Sequence, residues 1–167
     1  TGDLVQAEIH THYGGQEAQV QMSVALDPID DENRRCEDVA VEAYQAGVAA
    51  VKPGAAFADV VHAIEAPIRD AGCWSKTPLL HTLTFGSTGF TPVNRDQIEN
   101  TTEGWIEGQA HVGIRRGDLE LRPGMGLEIE PNACIGNRRV NIGGAVVVTE
   151  SGCEELNVLP TRVRHVN

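Results

Sequence analysis

The chain has 167 residues, 41% of them hydrophobic, which suffices for one compact domain with a real core and excludes a disordered acidic chain. Its 13 Lys+Arg against 24 Asp+Glu give a formal charge of −11, which argues against nucleic acid and anionic membranes as partners. No apolar run reaches the roughly 18 residues of a bilayer span, and no signal-peptide pattern opens the sequence. Cys36, Cys73, Cys134 and Cys153 are scattered without Cys-x-x-Cys spacing, the pattern of buried reduced thiols in a cytoplasmic protein.

Thr1-Gly2-Asp3-Leu4-Val5 runs directly into a strand, as though the sequence began inside a domain. Residues 4–12 and 17–26 read as a hairpin, because Gly14-Gly15 tolerates the positive φ that tight hairpins demand. After Asp27-Pro28, Asp30-Asp31-Glu32 places negative charge at a helix start, where it suits the dipole. Cys36, Val39, Ala40, Ala43, Ala46 and Ala50 follow at helical spacing until Lys52-Pro53-Gly54. A second helix is expected from Phe57 to Ala71, with Val60, Val61, Ile64 and Ile68 buried, a kink or late break at Pro67, and Gly72 as its cap. Residues 75–119 hold one candidate strand, Leu79–Phe85, in a long irregular segment that reads as functional wall rather than linker. Leu127-Glu128-Ile129-Glu130 alternates as a strand before Pro131, and 139–149 reads as a further strand turned by Glu150-Ser151-Gly152. A strand pair, two helices and more strands make an α+β fold, with helices on one face of a curved, mostly antiparallel sheet.

The hairpin raises the first question of chemistry. Glu8, His10 and His12 alternate along one strand, so they share a face with successive members about 6.6 Å apart. His-x-His on a strand can hold one zinc, iron or manganese together with Glu8 or Glu130. The same groups can instead line a polar pocket that works without metal. His62 and His165 read as surface residues, and Trp74 and Trp105 as packing residues. Arg34-Arg35, Arg115-Arg116 and Arg138-Arg139 read as solvated or salt-bridged pairs, with Arg138 or Arg139 able to take a substrate carboxylate.

GDLV near the start, AAVKPG with a helix running to DAGCW, LRPGMGLEIEPNACI, and VVVTESGCEEL resemble, in this order, the pita-bread fold of the M24 metallopeptidases. That superfamily includes methionine aminopeptidase, aminopeptidase P, prolidase and creatinase. The resemblance implies that residues 1–167 form a partial pita-bread domain, the C-terminal portion of a larger cytoplasmic, dimeric protein. The family's five metal-binding side chains, two Asp, one His and two Glu, fall on Glu8, Gln19, Phe85, Glu130 and Gly143. A further assisting His falls near Pro92. Phe and Gly supply no donor atom, so the resemblance implies a lost dinuclear centre and no metal cofactor. Creatinase hydrolyses a C–N bond without metal, using His and Glu in the same pocket. By that precedent His81 acts as general acid and base, Glu130 and Glu8 orient an amine- or guanidinium-bearing substrate or hold the attacking water, and His10, His12 and Glu128 complete substrate binding. The expected substrate is a small molecule or short peptide cleaved at a peptide, amide or amidine bond. The competing expectations are a mononuclear metal hydrolase built on His10, His12 and Glu8, and a non-catalytic binding module. A pocket filled by Phe85 and Phe90 would favour the module, and His111 could reach the pocket.

Overall fold

The computed structural model describes residues 1–76, 78–83, 114 and 116–167. Strands β1 (Leu4–Tyr13) and β2 (Gln16–Leu26) pair antiparallel in the register Glu8↔Gln21 and His10↔Gln19. Gly14 and Gly15 take φ of 57° and 85°, so both central positions of the turn have the positive φ of the hairpin type whose twist matches the strands. The even residues of β1 and the odd residues of β2 share a face. On it Gln19, Gln21, Ser23 and Ala25 are buried against the rest of the molecule.

Helix α1 (Asp31–Ala50) starts where the acidic run predicts: the Asp30 carboxylate accepts from the Asn33 N–H at 2.7 Å. Cys36, Val39, Ala40 and Ala43 are buried as the spacing requires, but Tyr44 and Gly47 take the inner positions of its last turns while Ala46 and Ala50 are only half-buried. Gly47 lies where α1 meets α2 and the sheet. A Cβ there would stand 2.8 Å from Ile64 and 3.0 Å from Ile129, so only glycine permits that approach. Helix α2 (Phe57–Asp70) buries Val60, Val61, Ile64 and Ile68. Pro67 sits within its last turn, and the helix ends three residues later. The Gly72 N–H donates to the Arg69 carbonyl and the Cys73 N–H to the Ile68 carbonyl, both at 2.9 Å, with Gly72 at φ 69°. This paired cap is what the Gly72 position predicts.

Beyond the helices, β3 (Leu80–Thr82), β4 (Gly126–Ile129), β7 (Gly144–Val148) and β8 (Cys153–Glu155) form an antiparallel sheet in the order β3-β4-β7-β8. β5 (Asn132–Ile135) and β6 (Arg138–Asn141) form a separate hairpin, and β9 (Arg164–Val166) runs parallel to β2. The expected strand over 139–149 is therefore two strands. The break falls at Ile142-Gly143, where the chain closes on the hairpin: Gly143 N–H donates to the Gln21 carbonyl at 3.2 Å. A Cβ at Gly143 would meet Gln21 Oε1 at 2.6 Å, the Ile129 carbonyl at 2.7 Å and Glu130 Cα at 2.9 Å. Instead of one curved sheet, the described residues make three, with β2 packed on β6 and β7. Of the expected strand over Leu79–Phe85, the described residues show β3 alone.

Leu127 and Ile129 point into the core under the helices. Glu128 and Glu130 therefore point away from them, together with His81, the cross-strand partner of Glu128. Cys36, Cys73 and Cys134 are buried free thiols, and burial pushes the thiols of Cys36 and Cys134 up to about 12. Trp74 is a packing residue, as expected, and His62 is exposed. Among the described residues no helix is long and apolar enough to cross a membrane.

Candidate functional site

The inner face of the β1–β2 hairpin meets the outer face of β3 and β4 at Glu130. Its environment is polar and closed: His81 and Glu130 are 6% and 4% exposed. His81 Nε2 stands 3.1 Å from Glu130 Oε1, while His81 Nδ1 donates to the Thr82 carbonyl at 3.2 Å. Burial lowers the His81 basicity, but the Glu130 hydrogen bond and charge together outweigh it, so the imidazole is held above its ordinary range. Burial raises the Glu130 carboxyl and His81 opposes it, with a net upward direction.

Two glutamines complete the contacts of Glu130. Gln21 Nε2 and Gln19 Nε2 both donate to Glu130 Oε2, the latter at 3.2 Å, and Gln19 Nε2 also donates to Glu8 Oε1 at 2.8 Å. One amide nitrogen thus bridges Glu8 and Glu130, as a small cation would. Asn132 Nδ2 donates to the Glu130 carbonyl at 3.0 Å while its Oδ1 accepts from Arg139 Nε at 2.5 Å, which helps fix the backbone of Glu130. Arg139 is spent on this positioning contact, and Arg138 lies outside the site, 3.0 Å from Asp30 and 3.4 Å from Glu32.

The web continues to the surface along β1. His10 Nε2 lies 3.0 Å from Glu8 Oε1 and its Nδ1 lies 2.7 Å from Glu17 Oε1, with His12 Nε2 a further 3.9 Å from Glu17. Glu17, then Glu8, raise the His10 imidazole, and His10 in turn lowers Glu17. Of the expected residues, then, Glu8, His10, His81 and Glu130 are joined through Gln19 into one network, with His12 at its exposed end. Glu128 shares their face but stands apart: it is fully buried, and neither carboxyl oxygen has a hydrogen-bond partner among the described residues. Burial, then the charges of Glu130 and Glu8, push it up to about 10, so it is a neutral acid at pH 7.

The donor set does not fit a pair of divalent cations. Where the resemblance puts the second Asp, Gln19 presents N–H donors to both neighbouring carboxylates, and where it puts the last Glu, Gly143 has no side chain and lies against Gln21. Phe85, Phe90, Pro92, Trp105, His111 and Arg115 lie outside the described residues. Nor does the expected His10, His12 and Glu8 set converge: both ring nitrogens of His10 face carboxylates on opposite sides. Among the described residues no three His, Cys, Asp or Glu side chains are placed to hold a metal ion.

Gln21 and Glu17 were not singled out by sequence. The period-2 run Glu17, Gln19, Gln21, Ser23 on the buried face of β2 was the available signal. His165 is exposed, as expected, with Nδ1 2.9 Å from Asp27 and Nε2 3.1 Å from Glu37.

Two helices under one face of paired antiparallel strands make the pita-bread fold. The chain belongs to metallopeptidase family M24, whose sequence profile matches residues 1–150. Its fold is shared with X-Pro aminopeptidase from Thermotoga maritima, at 20% identity and a TM-score of 0.75, over 99% of this chain and 42% of that one. Dipeptidase PepE from Mycobacterium ulcerans gives 24% identity and a TM-score of 0.75, over 99% of this chain and 40% of that one. Methionine aminopeptidase from Rickettsia prowazekii gives 17% and 0.66, over 92% of this chain and 64% of that one. The chain thus spans about two-fifths of the length of the first two. No curated protein sequence matches it.

Proposed function

We propose that the chain carries the reaction centre of a hydrolase that cleaves a C–N bond of peptide, amide or amidine type without a dinuclear metal, in the manner of creatinase. The observation that carries this is the buried His81–Glu130 pair at 3.1 Å, with the Gln19 amide donating to Glu130 where the family resemblance puts a metal-binding Asp. In this reading Glu130 takes a proton from water as the oxygen adds to the scissile carbon. His81 delivers its proton to the departing nitrogen, so the amine leaves neutral and the second product carries the oxygen. Glu8, set by Gln19 and His10, orients the substrate, with His12 at the mouth. The substrate is a small molecule or short peptide whose cationic or N–H-rich end suits this acidic wall.

The competing reading, a non-catalytic binding module, is favoured by one feature: Glu130 is already engaged by Gln19, Gln21 and His81. Cytoplasmic residence is supported by the free, buried thiols, and a homodimer by the family resemblance alone. Both belong to the proposal. The test is elemental mass spectrometry of the purified protein beside its His10→Ala/His12→Ala variant, followed by an amide and amidine hydrolysis screen with Glu130→Gln as the control. The reading expects no stoichiometric metal and turnover that Glu130→Gln abolishes. One bound transition metal per chain, lost in the histidine variant, would overturn it, and metal-free protein with no turnover would favour the module.

A further inference from the structure

Among the described residues Glu128 alone has both side-chain oxygens buried without a hydrogen-bond partner. A buried carboxyl with unsatisfied oxygens is costly, and a leucine of similar size in its place would be cheaper. Leu127 and Ile129 on either side of it are core residues, so the strand places Glu128 on the face opposite the helices. Its cross-strand neighbours there are His81 on β3 and Ala145 on β7. Ala145 offers only a methyl group, and His81 is turned to Glu130 and the Thr82 carbonyl. Among the described residues, neither Glu128 oxygen is used by anything. The groups that raise its carboxyl electrostatically are Glu130 first, then Glu8 and Glu17, with the Tyr44 phenol also interacting with it, which disfavours a ligand with an anionic end.

We propose that Glu128 is a ligand-contacting residue of this site, its carboxyl meeting the planar edge of an amide or neutral amidine group, one oxygen accepting an N–H and the O–H donating to the group's carbonyl oxygen or imine nitrogen, with the reacting carbon against His81 and Glu130. The inference rests on the reading above and extends it by assigning specificity to a residue outside the His–Glu pair. A carboxyl and an amide or amidine edge meet through two parallel hydrogen bonds in one plane, which fixes orientation as well as affinity. Such a ligand satisfies both orphaned oxygens at once; a ligand with a hydrocarbon end leaves them unmet.

The experiment compares the wild type, Glu128→Gln, Glu128→Leu and Glu130→Gln for binding of acetamide and acetamidine by ligand-observed NMR, with thermal unfolding of each protein. The wild type should bind at least one probe. Glu128→Leu should melt several degrees higher yet bind about tenfold more weakly or worse, the loss of at least one good hydrogen bond. Glu128→Gln, which keeps the shape should the leucine variant fail to fold, should also weaken binding. Probe binding that survives both Glu128 variants but is lost in Glu130→Gln overturns the assignment and leaves the site reading standing. A lowered melting temperature in both Glu128 variants with unchanged binding makes Glu128 structural and also overturns it. A wild type that binds neither probe overturns the site reading and this inference together.

Discussion

The break between β6 and β7 makes a quantitative prediction for Gly143→Ala. The added methyl would lie 2.6 Å from Gln21 Oε1, 2.7 Å from the Ile129 carbonyl and 2.9 Å from Glu130 Cα. Two of these three atoms are backbone, in β4 and the residue after it, and cannot swing away. Overpacking a tight site costs about 1–3 kcal/mol, and the backbone contacts place this one in the upper half, at about 2–3 kcal/mol. The neighbouring glycine supplies the control. A Cβ at Gly144 would overlap Asn157 far more severely, at 1.5 Å from Nδ2, but all its close contacts belong to the end of that one side chain. Asn157 can rotate out and give up its 3.0 Å bond to Thr161, so Gly144→Ala should cost only about 1 kcal/mol. Urea unfolding followed by far-UV circular dichroism measures both. The reasoning fails if Gly143→Ala lies within about 0.5 kcal/mol of the wild type, the scatter of ordinary surface substitutions, or if Gly144→Ala proves the costlier change. The order matters for the chemistry, because it decides whether any side chain can stand at the family's last carboxylate position on this backbone.

Gln19→Glu would set a third carboxylate against Glu8 and Glu130, at positions now 2.8 and 3.2 Å from an N–H donor. A loss of about 2–3 kcal/mol at pH 7, recovered on acidification, is expected in chemical denaturation. Burial and the neighbouring carboxylates push Glu128 up to about 10 in the folded protein from an ordinary value of 4.5, so folding takes up a proton between those limits. Its stabilising state is full below the lower value and is lost as pH rises toward the upper one. Relative to Glu128→Leu, the wild type should therefore lose up to about 1.4 kcal/mol per pH unit between pH 5 and 9, and parallel curves would refute this. His165 is raised by Glu37, against a lowering by burial, and by Asp27. Its contribution is present below about pH 6.5 and fades as pH rises through the raised value. For so exposed a group it amounts to less than about 1 kcal/mol, and His165→Asn should flatten that part of the profile.

Much of the scaffold was legible because local chemistry agreed with the final packing. Gly14-Gly15, the Asp30 cap, the Val60-Val61-Ile64-Ile68 stripe and Gly72 each signal their own geometry within a few residues. The division of 139–149 was not legible. Val140 through Val148 read as one strand by pattern, and the break at Gly143 is set by Gln21, more than a hundred residues earlier. For the site, alternation placed Glu8 and His10 on one face, and the family motifs pointed to Glu130 and His81. What single positions could not disclose was the role of Gln19. A glutamine reads as the loss of a carboxylate ligand until its amide is seen donating to two carboxylates at once. The isolation of Glu128 was equally hidden, because a missing partner leaves no trace in sequence.

The Glu8–Gln19–Glu130 web also has a mechanical meaning. The β1–β2 hairpin is a separate sheet from both the β3-β4 sheet and the β5–β6 hairpin, and side-chain bonds help sew its seam with them: Gln19 and Gln21 to Glu130, Ser23 Oγ to the Asn141 carbonyl of β6 at 2.8 Å, and Gln6 to the Arg139 carbonyl of β6. Half of these stitches end on Glu130, a carboxylate that a ligand would claim. Occupying the site therefore means breaking part of that seam, so ligand binding is expected to loosen the inner face of the hairpin. Amide hydrogen exchange along β2 is where that loosening registers, with Gln19 to Ser23 exchanging faster when Glu130 is occupied.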